Sequence, residues 1–189
     1  MDIGTGDGLF VYHAAKENSG NLYIGIDPNS RQLEKISEKI TRNPSKGGVP
    51  NVLYVQAAVE NLPDELNGVA NEAYILFPWG SLLNAVLTEN CALLSNIRRI
   101  CATRAKLHIM VALEKNKDQA EIKRLALPDL SSDYVESRLI PHYKSAGFDV
   151  AEATLSPFSK LKVLPTTWAK KLHQNKDRQL FELVAYAGK

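Results

Sequence analysis

The chain opens with Met1-Asp2-Ile3-Gly4-Thr5-Gly6-Asp7-Gly8 and, after one amphipathic stretch, continues as Leu22-Tyr23-Ile24-Gly25-Ile26-Asp27-Pro28. Glycines at 4, 6 and 8 let the backbone turn sharply from strand to helix and come close to a ligand, and Asp27 at the end of the next strand can accept bonds from ribose hydroxyls. A dinucleotide-binding turn would read G-x-G-x-x-G, but here the third glycine falls one place early and Leu9 stands where the pattern wants it. Asp2 would repel a pyrophosphate and suits a cationic amino group. The bland alternative is an ordinary turn with a strand-end carboxylate. A glycine turn of this kind should follow a strand of about five residues, so the opening suggests a shortened start or a misplaced start codon.

Working outward, Leu9 to Lys16 has helical spacing and Asn18-Ser19-Gly20-Asn21 breaks it. Leu22 to Ile26 reads as a buried strand. Leu33, Ile36 and Ile40 recur at helical spacing from Ser30 to Thr41, and Asn43-Pro44-Ser45-Lys46-Gly47-Gly48 ends that helix. Strands are expected over Val52 to Ala57, Ala73 to Phe77 and Ala105 to Leu113, with helix-compatible sequence between them. Helices are expected within Ala120 to Leu125 and from Asp133 to Ala146, stopping at Gly147. Phe148 to Leu155 reads as a strand, Ser156 to Pro165 as a connection, Trp168 to Leu172 as a short helix and Gln179 to Tyr186 as a terminal strand. Such alternation specifies an α/β fold, with a mostly parallel sheet covered on both faces. Two closing strands after five βα units give seven strands, against six in a dehydrogenase sheet.

The 189 residues fit one domain, 1–189, and 44% hydrophobic content is enough for a substantial core. Net charge is only +2, so any nucleic-acid surface must come from the arrangement of charges rather than their sum. Cys91 and Cys101 have no partners at metal spacing and read as buried apolar fillers in a reducing interior. No apolar run reaches the roughly 18 residues of a membrane span, and no signal peptide is evident, so a cytoplasmic location is expected.

Four further constellations bear on chemistry. Glu60, after the third strand in Ala57-Ala58-Val59-Glu60, faces the carboxyl-terminal crevice and could position a nucleoside base, or could equally begin a helix. Phe77-Pro78-Trp79-Gly80-Ser81 ends the fourth strand, where Pro78 stiffens a turn and Trp79 offers a flat face; a buried structural Trp is the alternative. Thr166-Thr167-Trp168-Ala169-Lys170-Lys171 supplies a second tryptophan, with Lys176 and Arg178 after it. Two such faces could clamp a base swung out of its stack, although Trp168 could equally anchor a short helix. Lys35, Lys39 and Arg42 share a helix face, with Lys46 beyond it, and could track a phosphate backbone or form a solvated face beside Glu34 and Glu38. His13, His108, His142 and His173 show no ligand spacing and are read as structural or surface groups, and no metal is expected.

Together, the Asp2 to Gly8 loop, Tyr23-Ile24-Gly25-Ile26-Asp27-Pro28, Pro44-Ser45-Lys46-Gly47-Gly48, Phe77-Pro78-Trp79-Gly80-Ser81-Leu82-Leu83 and Trp168-Ala169-Lys170 resemble the KamB/NpmA group of 16S rRNA adenine-N1 methyltransferases. The resemblance runs along essentially the whole chain. It implies a class I S-adenosylmethionine-dependent methyltransferase fold, Rossmann-like, with its first strand truncated. It implies methylation of adenine-1408 within the 30S subunit by a monomer, with aminoglycoside resistance as the consequence; another RNA, a small amine, or a catalytically idle RNA-binding or assembly role are the rival readings. Carried over, it implies cofactor contacts from Asp2, Gly4, Gly6, Asp27, Glu60, Leu76, Ser81 and Thr166. Trp79 and Trp168 would sandwich the flipped adenine, and Arg178 would grip the RNA backbone beside it. Lys39, Arg42, Lys46, Lys171, Lys123 and Arg124 would contact rRNA. Glu38 and Asn43 stand where relatives carry basic residues, which weakens the expected docking, and the family's amino-terminal hairpin, part of its usual RNA-binding surface, is missing.

Overall fold

Short apolar strands alternating with amphipathic helices can bury their apolar surface only by lining strands side by side and laying helices over both faces. The computed structural model, which describes residues 1–158 and 178–188, has this architecture. Its strands are β1 (Asp2–Ile3), β2 (Tyr23–Asp27), β3 (Val52–Gln56), β4 (Ala70–Leu76), β5 (Cys101–Leu113), β6 (Phe148–Pro157) and β7 (Gln179–Ala187). They form a seven-stranded sheet in the order β3-β2-β1-β4-β5-β7-β6. β7 runs antiparallel to both β5 and β6, and all other pairs are parallel. Between β1 and β4 the order of strands reverses, which leaves a crevice beyond their carboxyl-terminal ends. β1 contributes two residues, paired with Gly25 and Ile26 of β2 on one side and with Tyr74 of β4 on the other.

The helices are α1 (Leu9–Glu17), α2 (Ser30–Ile40), α3 (Gly80–Leu87), α4 (Cys91–Ile100), α5 (Gln119–Arg124), α6 (Ser132–Tyr134) and α7 (Ile140–Ser145). One face of the sheet packs Ile75, Leu107 and Ile109 into a core that includes Leu83 and Val86 of α3 and Leu94 and Ile97 of α4, all essentially inaccessible to water. A second cluster joins Val11, Tyr12 and Ala15 of α1 to Ile36 of α2 and Val52 of β3. The loop after α2 is forced: a side chain at Gly48 would lie 1.7 Å from the Arg42 carbonyl oxygen, so only glycine fits there.

Several expectations change in detail. β4 begins at Ala70 and ends at Leu76, because Phe77 turns into the left-handed region at φ 53°. β5 starts at Cys101 and β6 extends through Pro157, into what reads in the sequence as a connection. The helix expected from Asp133 to Ala146 is instead α6, a π-helical turn at Val135–Leu139, and α7. Pro141 lacks an N–H and its ring crowds the carbonyl four residues back, so the wider turn just before it relieves the clash. The short helix expected at Trp168 to Leu172 lies outside the described residues. Cys101 is a buried filler as expected, and burial pushes its thiol up to about 11. Cys91 is not: it is exposed, because it opens α4 one turn before the buried Leu94 and Ile97, and its Sγ lies 3.8 Å from His142 Nδ1. No helix among the described residues is long and apolar enough to cross a membrane.

Candidate active site

The crevice at the strand reversal holds a cavity of about 390 Å³. Asp2, Gly4, Gly6, Asp27, Glu60, Leu76, Trp79 and Ser81 all line it, so the structure brings together eight of the residues singled out in the sequence. Thr166 and Trp168 lie outside the described residues.

The donor side of the cavity is built from backbone. Gly4 and Thr5 N–H both donate to the Ile26 carbonyl, at 2.8 and 2.9 Å, which locks the turn onto β2. Asp27 holds the rest: one carboxylate oxygen accepts from Gly6 N–H and the other from Asn29 N–H, each at 2.9 Å. A carboxylate oxygen has lone pairs beyond one hydrogen bond, so Asp27 fixes the loop and still has acceptor capacity toward the cavity. Gly4 has φ 76°, and a Cβ there would come within 2.7 Å of the Leu82 side chain. Tyr54, which was not singled out in the sequence, braces the glycine loop without lining the cavity. Its hydroxyl donates to the Gly8 carbonyl at 2.7 Å, and its ring leaves no room for a side chain at Gly8 or Gly25.

Asp2 is 3% exposed, and its Oδ1 has no hydrogen-bond partner among the described residues. Burial pushes its carboxyl up to about 6. A buried carboxylate oxygen left without a donor is costly, so a site built this way is suited to a ligand that brings a donor, best a cationic one. Asp7, Asp27 and Glu60 line the same cavity, making its walls acidic. Such walls fit a ligand bearing an ammonium and a sulfonium and oppose a pyrophosphate. Glu60 sits exposed on a short 3-10 turn, Val59–Asn61, whose Val59 and Glu60 carbonyls accept from Asn96 Nδ2 at 3.0 and 3.3 Å.

The acceptor side is one turn. Phe77 N–H donates to Met110 carbonyl at 2.7 Å, and the Phe77 ring packs near Phe158 in a small cluster with Ala112 and Leu180. That packing holds a non-glycine residue at positive φ, a conformation that otherwise costs of order 1–3 kcal/mol. Pro78 is buried, Trp79 is 51% exposed at the mouth of the cavity, and Gly80 at φ 62° opens α3. Gly80 N–H donates to Glu121 Oε1 of α5 at 3.2 Å. Arg124 grips the same carboxylate with both Nε and Nη2 at 2.7 Å.

The expected RNA contacts spread more widely. Lys39 is half-buried, its ammonium 4.1 Å from the centre of the Tyr12 ring, while Arg42 and Lys46 are exposed. These three lie toward the end of α2 remote from the cavity: Gln32 lines the cavity, and Lys39 is about two turns farther along. Lys123 is exposed on α5; Arg124 is exposed yet engaged by Glu121. Lys171 lies outside the described residues. Arg178 is only 10% exposed, donating to Asp118 Oδ2 at 2.7 Å and to the Ala112 carbonyl at 3.2 Å, with Glu114 Oε2 4.0 Å from its Nε. In this state its guanidinium serves two carboxylates rather than a phosphate.

The strand order, the acidic cavity at the reversal and the orphaned Asp2 oxygen define a class I S-adenosylmethionine-dependent methyltransferase. The family description 16S rRNA (adenine(1408)-N(1))-methyltransferase matches residues 1–187, and the chain belongs to that family. It is 36% identical over 190 residues to a protein of that name from Escherichia coli, spanning 100% of this chain and 87% of the relative. A second, from Streptoalloteichus tenebrarius, is 34% identical over 189 residues, spanning 100% of this chain and 85% of that protein. Among solved structures, the aminoglycoside resistance methyltransferase NpmB1 superposes with a TM-score of 0.82 at 40% identity, covering 97% of this chain and 85% of its own. The enzyme from Catenulisporales acidiphilia, a W203A mutant solved with its cosubstrate SAM, superposes at 0.89 with 31% identity, covering 100% and 84%.

Proposed function

We propose that this chain transfers a methyl group from S-adenosylmethionine to N1 of adenine-1408 in 16S rRNA, acting as a monomeric, single-domain enzyme on the 30S subunit in the cytoplasm and conferring aminoglycoside resistance. The observation that carries this reading is the meeting of two features at one cavity: a buried, unpartnered carboxylate oxygen on Asp2 and a half-exposed indole on Trp79. The first suits the amino end of the donor. The second suits a flat acceptor arriving from solvent.

Asp2 would take the donor's ammonium, Asp27 its ribose hydroxyls, and Glu60 with Leu76, Ser81 and Thr166 its remaining surface. When bound, the donor supplies an electrophilic methyl group to an N1 lone pair that is already free, so no base has to remove a proton first. What the protein supplies is alignment and tolerance of positive charge. Trp79 and Trp168 hold the extruded adenine between them, and the electron-rich indole faces stabilise the cationic methylated ring. Stacking is worth about 1–3 kcal/mol per base face, comparable with the few kcal/mol that unstacking costs. Arg178 reaches the RNA backbone only by exchanging Asp118 for a phosphate, which makes that ion pair part of the docking step. Lys39, Arg42, Lys46, Lys123, Arg124 and Lys171 supply phosphate contacts.

The test is transfer of a radiolabelled methyl group to purified 30S subunits, followed by primer extension on the extracted 16S rRNA. Methylation at N1 blocks base pairing, so a single new stop at adenine-1408 is expected. Labelling without that stop would move the acceptor elsewhere, and no labelling in the presence of bound cofactor would leave an RNA-binding role without turnover.

A further inference from the structure

The turn that presents Trp79 is only partly held by its own residues. Its two ends carry positive φ, 53° at Phe77 and 62° at Gly80, and Pro78 between them has no N–H to give. No side chain of the turn caps α3: Trp79 occupies the N-cap position, and an indole offers no acceptor for the first N–H groups of the helix. Phe77 is fixed from below by its hydrogen bond to Met110 and by the Phe158 cluster. Gly80 is fixed from the side, through its N–H, by Glu121, 41 residues away on α5. Among the described residues, nothing lies within 4 Å of where a Gly80 side chain would begin, so none of them packs against this end. A second tether between the same elements is Asn84 Nδ2 donating to the Leu125 carbonyl at 3.2 Å.

We propose that Glu121 is the positioning residue for the acceptor base: by accepting from Gly80 N–H it sets the direction of the Trp79 indole, and Arg124 aims the carboxylate. The carboxylate is a suitable group for this. It supplies the missing acceptor at the start of α3 and places negative charge where the helix dipole favours it. Arg124 binds it through two parallel hydrogen bonds, which fixes its plane as well as its position. The Arg124 guanidinium faces solvent, 61% exposed, so it joins the Trp79 turn to the surface that RNA would meet. This inference rests on the reading of Trp79 as one face of the base clamp.

The test uses Glu121→Ala, Glu121→Gln and Glu121→Asp in the full chain, with two independent readouts. The first is methyl transfer to 30S subunits, resolved into kcat and KM. The second is time-resolved fluorescence anisotropy of Trp79 in a Trp168→Phe background, where it is the sole tryptophan. Glu121→Ala is expected to lower kcat by about tenfold to a hundredfold, the scale of a small misplacement of a reacting group, with cofactor affinity unchanged, and to speed the local motion of Trp79. Glu121→Gln keeps an acceptor at the same reach and should restore most of both; Glu121→Asp keeps the charge but falls short and should restore little.

Unchanged Trp79 motion in Glu121→Ala would overturn the proposal. So would rescue by Asp but not by Gln, which would mean that charge alone matters, or a rise in KM for subunits with kcat intact, which would make Glu121 a docking residue. Should the alanine variant melt far below the parent, the Gln and Asp variants decide the question by the same readouts. If the parent enzyme itself leaves adenine-1408 unmodified, the proposed function fails while the fluorescence still judges whether Glu121 orients Trp79.

Discussion

The two walls of the cavity are made differently. On the donor side, Gly4, Thr5 and Gly6 are tied to β2 by hydrogen bonds of 2.8 to 2.9 Å from consecutive backbone amides, and the one side chain involved, Asp27, is buried. On the acceptor side, the Phe77 to Gly80 turn is strained at Phe77, exposes its aromatic to solvent, and is held by residues from β5 and α5. The first wall is rigid before any ligand arrives, which suits a small cofactor whose shape never varies. The second is held by a few replaceable contacts, which suits a macromolecule that must insert a base and leave again. Rigidity is placed where the ligand is constant, and adjustability where the substrate is large.

The sharpest way to break this comparison is to remove the acceptor face alone. Trp79→Ala should lower methyl transfer to 30S subunits by about a hundredfold or more, since it removes a stacking partner worth on the order of 1–3 kcal/mol and the alignment that goes with it. Calorimetry should find cofactor affinity unchanged, because among the described residues no donor-side hydrogen bond involves the indole. Weakened cofactor binding in that variant would mean the two walls are not separable. The converse substitution, Asp27→Ala, removes acceptors from Gly6 and Asn29 at once. Hydrogen bonds to a charged group contribute about 1.5–3 kcal/mol each, so cofactor affinity should fall by about tenfold to a hundredfold as the loop loosens. An unchanged dissociation constant would sink the placement of Asp27.

The same contrast explains what could be read in the sequence. Asp2, Gly4, Gly6, Gly8 and Asp27 were legible because the donor wall is local: a glycine turn and the end of the next strand lie close together in the chain, and their spacing encodes their geometry. The α/β class and the count of seven strands followed from the alternation of elements and the closing pair. Glu121 was invisible because its role is a single bond to a backbone amide 41 residues earlier, and the only local sign was an acid three residues before an arginine. Arg178 was placed on RNA by resemblance, yet the structure pairs it with Asp118 across 60 residues, a contact no periodicity announces. Tyr54 lay unremarked within the strand expected over Val52 to Ala57; that its ring fills the space left by Gly8 and Gly25 follows only from the packing of β2 against β3. Cys91 was misread because the general tendency of free cysteine to be buried does not say whether the first turn of α4 lies over the core.

A finer test addresses Asp2, whose ionisation burial holds back. Asp2 in the unfolded chain ionises near 3.8, whereas burial holds it at about 6 in the fold. Between those values the folded state binds more protons, so this group's contribution to the stability of the cofactor-free enzyme falls as pH rises from about 4 to 6 and stays low above that. Taken by the shift, the loss is at most about 3 kcal/mol. A donor bearing an ammonium needs the ionised form, so cofactor affinity should weaken by about tenfold from pH 7 to pH 5. Asp2→Asn should therefore raise the melting temperature of the cofactor-free enzyme at pH 7.5 while weakening cofactor binding and flattening its pH dependence. Flat cofactor affinity across this range in the parent enzyme would remove Asp2 as the ammonium's partner.

The smallest effect is expected farthest from the cavity. Each phosphate contact releases counterions, so losing one should reduce the slope of log affinity against log salt by about 0.7–0.9. Arg42→Ala and Lys46→Ala, both at exposed positions, should each lower the salt slope for 30S binding by about that amount, with only a few-fold loss of affinity near physiological salt and kcat at saturating subunits unchanged. Lys39 differs because its ammonium already rests 4.1 Å from the centre of the Tyr12 ring, whose hydroxyl donates to the Gly47 carbonyl of the following loop. To meet a phosphate it must share or leave that ring, so Lys39→Ala should cost stability as well as binding and change the salt slope less than its neighbours do. A salt slope that survives the double substitution of Arg42 and Lys46 would put the electrostatic contact with RNA on α5 and the far end of the chain instead, leaving this end of α2 an ordinary solvated surface.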